Sequence, residues 1–462
     1  MAADLLVRGD VVITMDPART MIADGAVAVG NGAIVEVGTA EALAARHGTA
    51  KTLGGPGCIV TPGFVDVHNH PVHYLSKGLA DDLELSRRSY ERIWPFEAAL
   101  TDEEAYTSAT GTFIEMIRNG TTCFCDPGGY QPDAVARAAR DIGIRGIVAR
   151  ETWDIPDEQA PPTHQADLAD ALERAEAVVE RWHGTADGRL RAWLSLVRPS
   201  HVSDELCRRV KARADALGVG IHAHLVASRT ASDKTRQVVG EGSAIGRYGD
   251  LGLLDENLLL AHLGWVTGEE IERLVAGGVK AAHCPSASML GGFGVIAHGT
   301  FPEMAQAGLT IGLGTDAGAI SRFIDLVRVM YLAACAHKDA RTDAEVMGAH
   351  KAFECATIDG ARALMWDDEI GSLELGKRAD IAVLRTDDVE WHPNPTASPV
   401  ANLIYSASGR AVSSVVIDGR VVMEDRAMRT IDLDAFLSEA DAAAESVLAR
   451  IGQRPQPQWP LR

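Results

Sequence analysis

The sequence predicts an α/β protein, a parallel (β/α)8 TIM barrel with a small β-sandwich built from both chain ends. Three observations predict it. Between Gly63 and Asp316, short apolar runs alternate with amphipathic stretches that carry helix start and stop residues. There are eight such runs, and eight strands interleaved with helices over about 250 residues is the arithmetic of a closed parallel barrel. Outside that region the pattern changes to short alternating runs set off by turn residues, as in antiparallel sheet. The expected organisation is residues 1–61 for the first part of the sandwich, 62–370 for the barrel, and 371–462 for the rest of the sandwich and a C-terminal helix. A doubly wound open sheet competes, but no glycine-rich phosphate loop follows the first barrel run.

Taken in chain order, Leu5–Thr14, Ala26–Val29 and Ile34–Val37 alternate as strands, and Gly30-Asn31-Gly32 makes the last two a hairpin. The barrel runs are Phe64–Val67, Thr121–Cys125, Arg145–Ala149, Leu190–Leu196, Val219–Ala223, Asn257–Ala261, Val279–His283 and Leu309–Gly314. Helices between them are announced by capping-box spacing at Thr101 with Glu104, Thr267 with Glu270, and Thr300 with Glu303. Asn119-Gly120, Gly218, Gly277-Gly278 and Gly308 stop helices ahead of the next run. Asp380–Leu384, Val412–Ile417 and Arg420–Met423 return to strand, with Asp418-Gly419 as a hairpin turn. Leu433–Ile451 has one apolar face and closes the ordered chain as a helix, before a Pro-rich tail read as a surface strap.

Composition narrows the function. Lys plus Arg number 44 against 64 Asp plus Glu, a formal charge of −20 that repels nucleic acid and anionic membrane surfaces. No apolar stretch of about 18 residues occurs, and Met1–Val12 lacks the pattern of a signal peptide. The seven cysteines are scattered and odd in number, as in a cytoplasmic protein with reduced thiols. Cys123 and Cys125 fall on one face of an apolar run and are read as core rather than as a metal clip. The expected partner is a small-molecule substrate, with no nucleic acid and no membrane. A homo-oligomer is expected from the apolar fraction and fold class.

In such barrels chemistry collects at the C-terminal ends of the strands. Here those ends carry His68-Asn69-His70, His222-Ala223-His224, His262, His283 and Asp316. His68 and His70 are two apart, so a strand's period of two sends both imidazoles toward the barrel axis. With His224 and Asp316 at two other strand ends they form the ligand set of a mononuclear site for one divalent ion. Histidine and carboxylate ligands suit zinc, iron, cobalt or manganese, and cellular supply often decides between them; zinc is the expected ion. His222, one pair deeper, is read as a hydrogen-bonded core histidine.

The chain resembles the amidohydrolase superfamily, in the branch of cytosine, guanine and methylthioadenosine deaminases and triazine hydrolases. The resemblance rests on Thr61-Pro62-Gly63-Phe64-Val65-Asp66-Val67-His68-Asn69-His70, Gly78-Leu79-Ala80-Asp81-Asp82, Asn119-Gly120-Thr121-Thr122, Ala261-His262, His283-Cys284-Pro285-Ser286, Gly314-Thr315-Asp316, and the segment from Gly371 to Asp380. It implies metal ligation by His68, His70, His224 and Asp316, with Asp316 and His262 as catalytic residues, His262 lying near the substrate oxygen or the bound water. No lysine ends the fourth strand, so a carbamylated two-metal variant is not supported.

Two departures bear on the reaction. Deaminases of this branch carry a Glu three residues after the fifth-strand His, whereas here His224 is followed by Leu225-Val226-Ala227. Their Pro-His-Ala-Pro after the fourth strand is replaced by Leu196-Val197-Arg198-Pro199. Attack on an aromatic ring carbon needs an acid to protonate a ring nitrogen, whereas attack on an amide, urea or carbamate carbonyl does not. Hydrolysis of a carbonyl-nitrogen bond is therefore favoured, as in the phenylurea and molinate hydrolases to which the sequence is similar. Deamination or dehalogenation of a nitrogen heterocycle is the alternative, with Asp126 or Glu151 as the replacement acid. A catalytically silent scaffold is the third reading, and the complete ligand set argues against it. Substrate contacts are expected from Arg198, whose fork suits planar oxygen groups unless a salt bridge claims it, from a wall of Trp94, Trp153 and Trp265, and from His283.

Overall fold

The computed structural model describes residues 3–240, 242–455 and 459–460. Four strands precede the barrel: β1 (Leu5–Ile13), β2 (Met21–Gly30), β3 (Ala33–Thr39) and β4 (Lys51–Pro62). The barrel strands are β5 (Phe64–Asp66), β6 (Thr121–Cys125), β7 (Arg145–Ala149), β8 (Leu190–Leu196), β9 (Ile221–Leu225), β10 (Leu258–His262), β11 (Lys280–His283) and β12 (Thr310–Leu313). After them come β13 (Ile381–Arg385), β14 (Val412–Ile417), β15 (Arg420–Glu424) and β16 (Ala427–Met428).

Strands β5 to β12 pair in sequence order, each parallel to the next. The ring closes where β12 meets the chain leaving β5. Val67 N–H donates to Leu313 O at 3.0 Å, Asp316 N–H to His68 O at 2.8 Å, and His70 N–H to Asp316 O at 2.7 Å. The seam of the barrel is thus the segment that carries three of the expected ligands, and their backbones are fixed by the closure itself.

The remaining strands form one sheet in the order β16-β15-β14-β13-β4-β1-β2-β3. It curls over a core shared by Val29 and Ile34 with Val383 and Val416. The β2–β3 turn meets the other half of the sheet, with Ala379 N–H donating to Gly32 O at 2.9 Å. Strand β4, in the middle of this sheet, is absent from the sequence-based expectation. Gly54, Gly55 and Gly57 take positive φ around Pro56, and the β1–β4 register shifts between Gly9 and Val11, so a bulge carries the breaker residues inside a strand. The fifth and sixth barrel strands also run later than expected, because they extend as far as their neighbours pair with them.

The helix boxes at Thr101 and Thr267 form as their spacing predicts. The one at Thr300 does not: its φ of −109° and ψ of 32° turn the hydroxyl from the helix, and Glu303 binds Arg341 instead. Sheet and barrel are joined through buried Arg145 of β7, whose guanidinium donates to both Asp380 oxygens at 2.7 and 3.1 Å and to Asp418 at 3.2 Å. The C-terminal helix Leu433–Arg450 lies on the helix Asp102–Arg118, tied by Arg450 to Glu104 at 2.8 and 2.9 Å. Of the expected strap, Gln453 donates to Glu91 O at 2.9 Å and accepts from Arg92, while 456–458 lie outside the described residues. Among the described residues no helix is long and apolar enough to cross a membrane.

Candidate metal centre and active site

His68 and His70 project to the barrel axis, as strand periodicity requires, while Asn69 points away and donates to Thr315 Oγ1 at 2.9 Å. His224 rises from β9, and its Nε2 lies 3.3 Å from His70 Nε2. Asp316 Oδ1 is 3.8 Å from His68 Nε2 and 3.9 Å from His70 Nε2. His68, His224 and His262 also bring ring nitrogens within 4.8 Å of one another. Burial, reinforced by the neighbouring rings, holds the imidazoles of His68, His70 and His224 well below their ordinary values, so all three are neutral at pH 7.

That neutrality makes the geometry informative. His224 Nδ1–H donates to Val197 O at 2.8 Å, which leaves the lone pair on Nε2, facing His70. His68 Nδ1 meets His222 Nε2 at 3.2 Å, and the buried His68 Nε2 has no partner among the described residues. Nitrogen lone pairs and a carboxylate therefore converge, a donor set that a divalent cation fits. His222 is the buried, hydrogen-bonded histidine the sequence predicts, and it orients His68 from behind.

Asp316 is pushed up to about 6, chiefly by burial, with the charges of His73 and Arg88 opposing. Beneath it Asp66, raised to about 7 by burial, accepts hydrogen bonds from the Thr315 hydroxyl and from Thr315 N–H at 3.1 Å. The rim is strained: φ is 78° at His262, 64° at Asp316 and 45° at β-branched Val226. Such outliers persist only where the surroundings over-determine them, and they cluster at functional sites.

A cavity opens above this group. His70, His224, His262 and Asp316 form its floor, Glu97, Glu151 and Arg198 one side, and Trp94, Ile93 and Phe293 an apolar wall. Three expected contacts are corrected. Trp153 is 2% exposed and backs Trp94 at a ring separation of 6.2 Å, its Nε1–H given to Tyr130. Trp265 stacks on His298 and faces a neighbouring cleft. His283 is buried against Phe301 and its Nε2 meets His337 Nε2 at 3.0 Å, so it does not line the cavity. Of the two candidate acids, Glu151 lines the cavity, raised to about 7 chiefly by burial. Asp126 lies behind it, accepting from Gly128 N–H at 3.0 Å.

Sequence reasoning misses a pair at the floor. His73 stacks on His70 and binds Glu97 Oε1 at 2.8 Å. The signal was a third histidine three residues after His70. It also misses Asp157, which gathers Tyr90 at 2.6 Å, His201 at 3.0 Å and Lys234 at 3.1 Å. Those residues come from the loops after four barrel strands, whose sequence distances hide the meeting. Cys123 and Cys125 are buried in the core.

Comparison with known proteins agrees with this architecture. The amidohydrolase family model matches residues 59–422. The chain is 31% identical over 451 residues to a 5'-deoxyadenosine deaminase of Methanosarcina mazei, covering 97% of this chain and 99% of that one. It is 34% identical over 429 residues to a 5-methylthioadenosine/S-adenosylhomocysteine deaminase of Desulforudis audaxviator, covering 92% and 96%. An adenosine deaminase from Xanthomonas campestris, solved with bound zinc, superposes with a TM-score of 0.89 at 28% identity over 97% of this chain and 99% of that one. A zinc complex of an atrazine chlorohydrolase from Arthrobacter aurescens shares the fold, with a TM-score of 0.86 at 23% identity over 95% and 100%. With a family match across most of its length, this chain belongs to the amidohydrolase family and is a metal-dependent hydrolase.

Proposed function

We propose that the enzyme hydrolyses a carbonyl-nitrogen bond, of amide, urea or carbamate type, in a small molecule with an apolar portion. His68, His70, His224 and Asp316 would hold one divalent ion, zinc in the first instance. When bound, such an ion supplies a water acidic enough to be a nucleophile near neutral pH and a Lewis acid beside the substrate oxygen. Asp316 takes the proton from the attacking water and delivers it to the departing nitrogen, a task its place at the cavity floor beside His70, His224 and His262 allows. His262 lies beside the carbonyl oxygen, and Trp94 with Phe293 receives the apolar portion. The same reading makes the protein a cytoplasmic homo-oligomer with no nucleic-acid or membrane partner.

One observation carries the preference for a carbonyl. Next to His224 the cavity wall is Leu225, Val226 and Ala227, with no carboxylate from that loop to protonate a ring nitrogen. A second reading, deamination of an aminoheterocycle, is favoured by the relatives' activities and by Glu151, whose value near 7 keeps a transferable proton in the cavity. Turnover in oxygen-18 water separates the two. Label in a carboxylic or carbamic product with release of a substituted amine supports the carbonyl reading, whereas label on a ring carbon with loss of ammonia overturns it. Asp316→Asn is expected to lower kcat by about 10²- to 10⁴-fold with the fold retained. His68→Ala is expected to bring metal content, measured by elemental analysis, well below one ion per chain.

A further inference from the structure

We propose that Arg198 is a second donor to the substrate's carbonyl oxygen, alongside His262, and that it selects carbonyl substrates over ring amines. This rests on the carbonyl reading above and assigns the residue that reads the scissile group.

Arg198 directly follows Val197, whose carbonyl orients His224, so its backbone is anchored to the metal-binding group. It is extended, with φ −167° and ψ 155°, and His201 N–H returns to its carbonyl at 3.0 Å, pinning the turn beyond. Its guanidinium lies over the Trp94 ring, 5.1 Å from the centroid, in the cavity wall. There it makes no hydrogen bond or ion pair to a described side chain. The other cation of this cavity, Lys234, is committed to Asp157. The nearby acids do not claim Arg198 either, since Glu97 binds His73 and Glu151 stands beyond ion-pair distance. Arg198 lines the same cavity as His70, His224 and His262, so its guanidinium shares the space above the reacting group.

A guanidinium keeps its protons and accepts nothing, so an uncommitted one beside a reacting centre can be satisfied only by an acceptor. A carbonyl oxygen is that acceptor, and it becomes a better one as reaction proceeds. Attack of water forms a carbon–oxygen bond, opens the carbonyl π bond and leaves negative charge on the oxygen, while one water proton passes to Asp316. When the double bond re-forms, the carbon–nitrogen bond breaks and Asp316 returns the proton to the nitrogen, giving acid and amine. A preorganised donor at the oxygen lowers that barrier more than it tightens the ground state. A ring carbon bearing an amine would instead turn N–H groups toward the guanidinium.

The test compares wild type, Arg198→Lys, Arg198→Met and Arg198→Ala on an aryl urea and its thiourea, with metal content and unfolding midpoint as controls. For the oxygen substrate Arg198→Met is expected to lose about 10²- to 10³-fold in kcat with KM little changed, and Arg198→Lys to fall between. The oxygen-to-sulfur rate ratio is expected to shrink in Arg198→Met, and added guanidinium ion to restore part of kcat in Arg198→Ala. Wild-type kcat in Arg198→Met, or a loss that leaves the oxygen-to-sulfur ratio unchanged, overturns the proposal. Wild-type enzyme that releases ammonia from aminoheterocycles and consumes no urea, amide or carbamate overturns the carbonyl reading itself, a failure visible before any variant is made.

Discussion

At the scale of single residues, the groups that matter are those whose environment leaves them one option. Arg145 and Asp380 are each almost wholly buried and bond through two oxygens, so neutralising Asp380 leaves the guanidinium with Asp418 as its one remaining carboxylate among the described residues. Asp380→Asn is expected to cost up to about 3 kcal/mol, read from the denaturant midpoint, because the buried guanidinium loses its two-oxygen partner and keeps only the longer contact to Asp418. The candidate ligands and the neighbouring His262 are legible in the sequence for a simple reason. His68 and His70 share a strand's parity, which aims both inward, and His224, His262 and Asp316 stand at or just past the ends of β9, β10 and β12, where barrel chemistry collects. His73 with Glu97 is not legible, because that contact joins a 3-10 turn to the short helix Trp94–Ala99, and no repeat relates the two. Trp153, Trp265 and His283 are a matching lesson, since ending a strand does not decide which way a side chain leaves it.

At the scale of elements, eight barrel strands are visible as runs because a strand buried on both faces must be apolar throughout. Strand β4 is invisible because its bulge carries Gly54, Gly55, Pro56 and Gly57, residues that elsewhere signal a turn. The cavity roof is made of less regular pieces. Arg88–Ile93 is a π-helical stretch, and Arg229–Val239 is a helix with few buried residues that brings Thr230, Lys234 and Thr235 to the cavity. Such turns of π-helix recur at functional sites. Asp157 fastens both pieces, through Tyr90 and Lys234, and these bonds hold its carboxyl well below the usual range despite burial. Asp157→Asn is expected to speed hydrogen exchange in Arg229–Val239 and to raise KM severalfold without changing metal content. Unchanged exchange there would show that the helix is held by other contacts.

At the scale of the molecule, pH response is a contest between two sets of buried groups. Nine histidines are held below their ordinary value of 6.5: His68, His70, His164, His201, His222, His224, His262, His283 and His337. Each binds its proton more readily in the unfolded chain, so each withdraws stability as pH falls below 6.5. Among the described residues five carboxyls are raised, namely Asp66, Asp126, Glu151, Asp316 and Asp325, and each adds stability on acidification as pH falls through its raised value toward about 4. The histidines outnumber the carboxyls, so the urea midpoint of metal-free protein is expected to fall from pH 6.5 to pH 4. A midpoint that rises over that interval would mean the carboxyls dominate. The curled sheet has a consequence of its own during synthesis. Its β4 edge pairs with β13, Ile381 opposite Pro62, and the whole barrel is encoded between them. On the ribosome, β1 to β4 must wait with that edge open until the entire barrel has emerged. A chain arrested anywhere between Pro62 and Ile381 therefore presents a bare strand to its neighbours, so the interval over which stalling invites association is as long as the barrel itself.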